Sequence, residues 1–226
     1  MPEPGRRSSE TETETGPHRS GFACFVGRPN AGKSTLTNAL VGTKVAITSD
    51  RPQTTRHAIR GIVARPDAQL ILVDTPGLHR PRTLLGERLN DVVRTTLAEV
   101  DVVGFCVPAD EKVGPGDRFL AGELATLPKR KPKIAIVTKT DLVEPDRVGA
   151  QLLAVSELGE SLGTPWAEIV PVSAQSGFQL DTLAGLLAAR LPDGPPLYPE
   201  GELTDEPETV LVAELIREAA LEGVRD

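Results

Sequence analysis

The chain predicts an α/β fold: a mostly parallel sheet of six strands, with one antiparallel edge strand and helices on both faces. Three observations carry this. From Phe22 onward, short apolar runs alternate with segments of helical spacing, as in parallel sheets whose crossovers are helices. The runs ending at Ala64 and starting at Gln69 are joined only by Arg65-Pro-Asp-Ala, too short for a parallel crossover, so this pair is antiparallel. Finally, the glycine-bounded loop GRPNAGKST, Gly27 to Thr35, follows the first run directly and opens into a helical pattern.

In chain order, strands are expected at Phe22–Val26, His57–Ala64, Gln69–Asp74, Asp101–Val107, Lys133–Thr138 and Glu168–Val172. Helices are expected at Lys33–Val41, Leu84–Glu99, Gly116–Thr126, Arg147–Leu158 and Leu180–Arg190. Residues 1–20 mix Pro, Gly and Ser with alternating Thr-Glu and lack apolar periodicity. They cannot offset the entropy of ordering and read as a disordered tail. Residues 21–191 form the main domain, and 192–206 read as a linker because the prolines of PDGPPLYPEG fit neither a helix interior nor a central strand. The last segment, 207–226, contains the amphipathic run VLVAELIREAAL, Val210 to Leu221. Such a helix either packs on the main domain or begins a second one.

At 226 residues the chain suits one α/β domain with appendages. Aromatic residues make up 3%, which argues against a nucleic-acid surface built on base stacking. No apolar run reaches membrane-spanning length and no signal-peptide core is present at the N-terminus, so a cytoplasmic protein is expected. Cys24 and Cys106 both lie in apolar runs and read as buried free thiols in a reducing compartment. Net charge is −7, but residues 200–226 hold nine acids and two bases and so account for all of it. The rest of the chain is neutral.

The loop after the first strand carries the first chemistry. Glycine at Gly27 and Gly32 permits bends that turn N–H groups inward, an anion-binding nest at the positive end of the following helix. Arg28, Pro29, Asn30, Ala31 and Thr35 complete the loop. Lys33 is expected to reach β- and γ-phosphates, and the Ser34 hydroxyl to ligate Mg²⁺. In LILVDTPG, Asp74 ends a strand and is suited to hold Mg²⁺ through water, while Thr75 and Pro76 lead to Gly77, whose N–H meets the γ-phosphate.

Two later strand ends define the base. In KIAIVTKTD, Thr138 can tie its loop to the phosphate loop, the Lys139 stem can cover a base face, Thr140 follows, and Asp141 can accept from guanine N1–H and the N2 amino group. Adenine offers no such donors and would leave the carboxylate unpaired. In EIVPVSAQSG, Ser173 precedes Ala174, whose N–H can donate to guanine O6. Each loop alone reads equally as a solvated turn. All of them together, each at a strand's C-terminal end, are what open α/β sheets use to bind ligands.

These residues resemble the translation-factor-like small GTPases, and within them the Era family. GRPNAGKST, Gln53-Thr54-Thr55-Arg56-His57, DTPGLH at Asp74 to His79, TKTD and SA are similar to that family's five guanine-nucleotide motifs. The stretch YPEGELTDEPETVLVAELIRE resembles the segment that joins the Era GTPase domain to its RNA-binding KH domain. The resemblance implies a P-loop GTPase fold, a monomer, GTP hydrolysed to GDP as a switch, and a role in assembly of the small (30S) ribosomal subunit and maturation of its 16S rRNA. It also implies that 207–226 starts an incomplete KH domain, and it admits peripheral association with the inner face of the membrane. With no G-x-x-G loop after the last helix, RNA binding by this stretch alone is in doubt.

For catalysis, Lys33, Asn30 and Thr55 are the candidates. Thr55 is expected as the second protein ligand to Mg²⁺ from the polar effector stretch Lys44 to Arg56, with Thr54 as the alternative. Where Ras-type enzymes place a water-orienting Gln, this chain has Leu78. Asn30 resembles GTPases in which K⁺ supplies the charge of an arginine finger, but its amide fits loop bracing equally. Competing readings are a GTP-responsive binding module with little turnover and an ATPase sharing the phosphate loop.

Overall fold

The computed structural model describes residues 17–48, 59–74 and 84–223. Six strands form one sheet: β1 (Arg19–Val26), β2 (Ile59–Ala64), β3 (Ala68–Asp74), β4 (Val102–Pro108), β5 (Lys133–Thr138) and β6 (Glu168–Pro171). Their spatial order is β2-β3-β1-β4-β5-β6. Only β2 runs antiparallel to its neighbour, with Ile59 opposite Asp74 and Ala64 opposite Gln69. The expected six-stranded sheet with one antiparallel edge is the observed one.

Helices α1 (Lys33–Val41), α2 (Leu84–Glu99), α3 (Pro115–Ala125), α4 (Pro145–Ser161), α5 (Leu180–Ala188) and α6 (Glu208–Gly223) complete the chain. Helices α3 and α4 begin one and two residues earlier than expected because Pro115 and Pro145 occupy the first helical turn, where a missing N–H costs nothing. The alternation of side chains along β1 divides the core into two layers. Cys24 and Val26 join Leu97, Phe105, Leu120, Val137 and Val155 on one face, while Ala23 and Phe25 join Leu36, Leu72, Ile136, Leu183 and Leu187 on the other. All of these side chains are buried.

The ends of the chain depart from expectation. Strand β1 starts at Arg19, inside the expected tail, because residues 18–20 pair with 192–194: Ser20 N–H donates to Pro192 O at 3.1 Å and Gly194 N–H to His18 O at 2.9 Å. Residues 1–16 lie outside the described residues. The proline-rich stretch 192–206 is a strap fastened to the sheet. Buried Gln69 accepts from the N–H groups of Leu197 and Tyr198 at 2.7 and 2.9 Å and donates to Tyr198 O at 2.9 Å. Further on, Ile62 N–H donates to Leu203 O at 2.9 Å, and Thr204 bridges Gly61. The strap thus covers the open edge of β2, which would otherwise offer unpaired backbone groups. Arg60, one of the basic residues near the effector stretch, pairs with Asp205 of this strap at 2.8 Å.

Candidate guanine-nucleotide site

The five parallel strands all point the same way, so Val26, Asp74, Pro108, Thr138 and Pro171 end at one sheet edge. β1 is flanked by β3 and β4, and the chain's connections diverge there. That is the topological switch point, where such sheets bind ligands.

The phosphate loop sits on this point. A Cβ at Gly27 would stand 2.7 Å from Cys106 O, so only glycine allows the loop to lie against β4. Gly32, at φ 86°, caps α1 in the left-handed region, and Asn30 shares that region at φ 62°. Asn30 is exposed at the mouth of the loop. An asparagine tolerates this conformation better than most residues, a backbone reason for its presence that the sequence pattern did not supply.

Lys33 is buried, and its ammonium donates to Gly27 O at 3.1 Å and Arg28 O at 2.9 Å. Burial holds its pKa below the ordinary lysine value, against the pull of the Asp74 carboxylate. Ser34 Oγ–H donates to Asp74 Oδ2 at 2.7 Å, and Asp74 is fully buried. One hydroxyl and one carboxylate oxygen side by side are hard donors of the kind Mg²⁺ takes, together with water and substrate phosphates. No group of three His, Cys, Asp or Glu side chains that could hold a metal gathers among the described residues, and such a Mg²⁺ site needs none.

The base-reading loops are joined to the phosphate loop. Thr138 Oγ1–H donates to Ala31 O at 2.8 Å, fully buried, so β5 braces the loop directly. Lys139 takes φ 57°, and Thr140 to Leu142 form a short 3₁₀ turn that brings Asp141 back toward Ser173. Ser173 Oγ–H donates to Asp141 Oδ1 at 2.6 Å and accepts Ser176 N–H at 3.0 Å. Asp141 itself is exposed and Ala174 half-buried. Lys139 lies 3.7 Å from Asp110, the loop after β4.

Thus Gly27–Thr35, Asp74, Thr138–Asp141 and Ser173–Ala174 stand at one edge. Thr54, Thr55, Thr75, Pro76, Gly77, Leu78 and His79 lie outside the described residues, as do Arg51, Arg56, Arg80 and Arg82. Pro29 is half-buried and Thr35 exposed. Arg28 is placed differently from the other loop residues: its guanidinium turns to Asp117 and Glu111, both at 2.8 Å. Neither acid had been singled out. Asp117 stands in GPGDRF, and an acid in a helix's first turn signals only a favourable helix start.

A phosphate loop at the switch point, braced by a Thr-Lys-Thr-Asp loop and followed by a Ser-Ala turn, defines a P-loop protein of the GTPase class. A family model for 50S ribosome-binding GTPases matches residues 22–139. The chain is 74% identical over 220 residues to the GTPase Era of Streptomyces coelicolor, covering 97% of this chain and 69% of that protein. It is also similar, at 37% identity and a TM-score of 0.84, to Era in complex with MgGDPNP and nucleotides 1506–1542 of 16S ribosomal RNA. Era from Aquifex aeolicus bound to GDP·AlF₄⁻ superposes with a TM-score of 0.83 at 36% identity. Each of these two matches covers 92% of this chain and 69% of the solved one. The chain belongs to the Era GTPase family, and it spans about two thirds of the length of these relatives.

Proposed function

We propose that this chain binds GTP with Mg²⁺, hydrolyses it, and uses the change of state to govern an association with the small ribosomal subunit. The observation that carries the reading is the pair of side-chain bonds, Thr138 to Ala31 and Ser173 to Asp141, which tie the loop bearing the Asp141 carboxylate to the phosphate loop and to the Ser-Ala turn. In this reading Asp141 accepts from guanine N1–H and N2, the Ala174 N–H donates to O6, and the Lys139 stem covers the base. The N–H groups of Gly27 to Thr35 hold the phosphates. Lys33 neutralises β- and γ-oxygens, and its lowered pKa reflects burial that a phosphate charge would offset.

Ser34 and Asp74, the latter through water, would hold Mg²⁺, with Thr55 or Thr54 from the effector segment and the Gly77 N–H on the γ-phosphate. Bound there, Mg²⁺ would neutralise charge developing on the phosphate oxygens. Leu78 cannot orient water as a Gln would, which leaves a larger share of catalysis to stabilisation of the developing charge, a role a second cation would serve. Asn30 stands at the loop mouth and is assigned to hold K⁺. The ribosomal part rests on the similarity to a protein solved with a 16S rRNA fragment. No helix among the described residues is long and apolar enough to cross a membrane. Free, buried cysteines suit the reducing cytoplasm in which this switch would act, as a monomer by its resemblance to the family.

Phosphate release from GTP and ATP with Mg²⁺, in KCl and in NaCl, with and without small ribosomal subunits, tests this. GTP-selective turnover that K⁺ raises is expected. Equal turnover of ATP would remove the guanine assignment, and equal rates in the two salts would remove K⁺. GTP binding with no turnover, even with subunits present, would leave only a binding module.

A further inference from the structure

The phosphate loop is anchored from outside. Arg28 Nε–H donates to Asp117 Oδ1 at 2.8 Å, and its Nη1 lies 2.8 Å from Glu111 Oε2. Asp117 is fully buried, and its other oxygen accepts the Gly114 N–H at 2.8 Å. Burial alone would lower the Arg28 pKa, but Asp117 and then Glu111 outweigh it and raise the value. A buried carboxylate paired in this way is costly to displace, so the first turn of α3 is a rigid anchor for whatever it holds.

Two further contacts give the anchor a purpose. The stem of Arg28 lies over Gly116, where a Cβ would stand 2.7 Å from Arg28 Cδ and 3.3 Å from Cγ. The residue whose side chain is clamped also presents one of the two carbonyls that hold the Lys33 ammonium. Arg28 therefore couples α3 to Lys33 through a single residue.

We infer that Arg28 is a positioning residue for the GTPase site. Its ion pairs to Asp117 and Glu111 fix the Gly27–Arg28 segment, and with it the direction of Lys33 and of the loop's N–H groups. The inference rests on the phosphate-loop reading above. With its guanidinium turned to Asp117 and Glu111, Arg28 acts through the backbone it holds. GTP and GDP both carry a β-phosphate, so both depend on it.

Gly116→Ala perturbs the anchor without touching the loop. Gly116 is the second residue of α3 and its φ lies outside the left-handed region, and alanine is the better helix former. The three atoms nearest the added methyl all belong to the Arg28 side chain. Affinities for GTP and GDP, measured by fluorescent analogues below the variant's Tm, are expected to fall together by about tenfold, the order of a lost charge-assisted hydrogen bond; Tm falls as well, because a displaced Arg28 leaves the buried Asp117 carboxylate poorly paired. Arg28→Ala should lose affinity to a similar degree. Arg28→Lys, which keeps charge without the fork, should recover only part of it. In the double variant Gly116→Ala with Arg28→Ala, the methyl occupies space the stem has vacated and should add no further loss. Unchanged affinity in folded Gly116→Ala, or an additive double variant, would overturn the role. If the unaltered protein binds neither nucleotide, the phosphate-loop reading itself falls.

Discussion

Glu218, in the third turn of α6, accepts two hydrogen bonds from Thr48: from its N–H at 2.8 Å and from its hydroxyl at 3.0 Å. The other carboxylate oxygen pairs with Lys44. Only 5% of Glu218 is exposed. Lys44 and Thr48 both belong to the effector stretch, of which 44–48 is the described part, so the C-terminal helix is fastened to the start of that stretch. Neither reading of α6 from its amphipathic pattern, docked or opening a second domain, identified this carboxylate as the fastener.

Burial alone would push the Glu218 pKa up, but Lys44 and the two Thr48 donors outweigh it and hold it below the usual carboxylate range. A pKa lower in the folded than in the unfolded chain gives stabilisation that is complete above the unfolded value and is lost as pH falls through the folded one. Docking of α6 should therefore hold at neutral pH and loosen in acid. Glu218→Gln should loosen it at every pH, at a cost of about 1–3 kcal/mol for the buried donors left poorly matched. Amide hydrogen exchange across 44–48 and α6 measures this. Wild-type protection in the glutamine variant at neutral pH would show that the charge is not what holds the helix.

Ser34 and Asp74 share a 2.7 Å hydrogen bond at the base of the loop. If both serve Mg²⁺, Ser34→Ala removes one oxygen donor from the metal site. The stimulation of GTP binding by Mg²⁺ should then weaken on the order of 10–100-fold, as when groups supporting a metal site are removed. Binding titrated with Mg²⁺ and with a chelator checks it. A variant with undiminished Mg²⁺ dependence would move the metal elsewhere.

Much of this site was legible because its chemistry is local. Gly27 and Gly32 are demanded by close approach and a left-handed φ, and Thr138 and Asp141 follow directly on an apolar strand. What stayed hidden depends on partners distant in sequence. Asp117 and Arg28 are 89 residues apart, Glu218 and Thr48 are 170, and Gln69 and Tyr198 are 129. An acid at a helix start, an acid on an amphipathic helix and a glutamine opening an apolar run all have ordinary local explanations. The strap had a different cause of error: prolines forbid helix and central strand, but they do not forbid a segment held to a sheet edge by side chains such as Gln69.

Cys24 and Cys106 are fully buried, and burial pushes both thiols up to about 12. Native protein should therefore resist thiol reagents at about pH 8, while the denatured chain reacts at two sites. The sign of the pH effect follows. Above the ordinary thiol value of 9.0 the unfolded thiols lose protons that the folded ones keep, so stability falls with rising pH by up to about 1.4 kcal/mol per unit for each thiol. Replacing both by alanine should flatten that alkaline decline in denaturant titrations. An unchanged slope would mean that other groups produce it.

Ser173 is fully buried and its hydroxyl donates to Asp141 at 2.6 Å while accepting Ser176 N–H. Its side chain links the two base-reading loops, so the guanine specificity assigned to Asp141 should depend on it. Ser173→Ala releases the carboxylate to rotate toward solvent, since Asp141 is otherwise exposed. Phosphate contacts are untouched. Preference for GTP over ITP, which lacks the N2 amino group, should fall by about tenfold, equivalent to about 1.4 kcal/mol for a hydrogen bond to a charged acceptor. Asp141→Asn should go further and favour xanthine nucleotides, because its amide can donate where the carboxylate accepts. Competition of GTP, ITP and XTP for one fluorescent analogue separates these outcomes. If Ser173→Ala weakens all three nucleotides equally, Ser173 supports the loop's fold and not the orientation of Asp141.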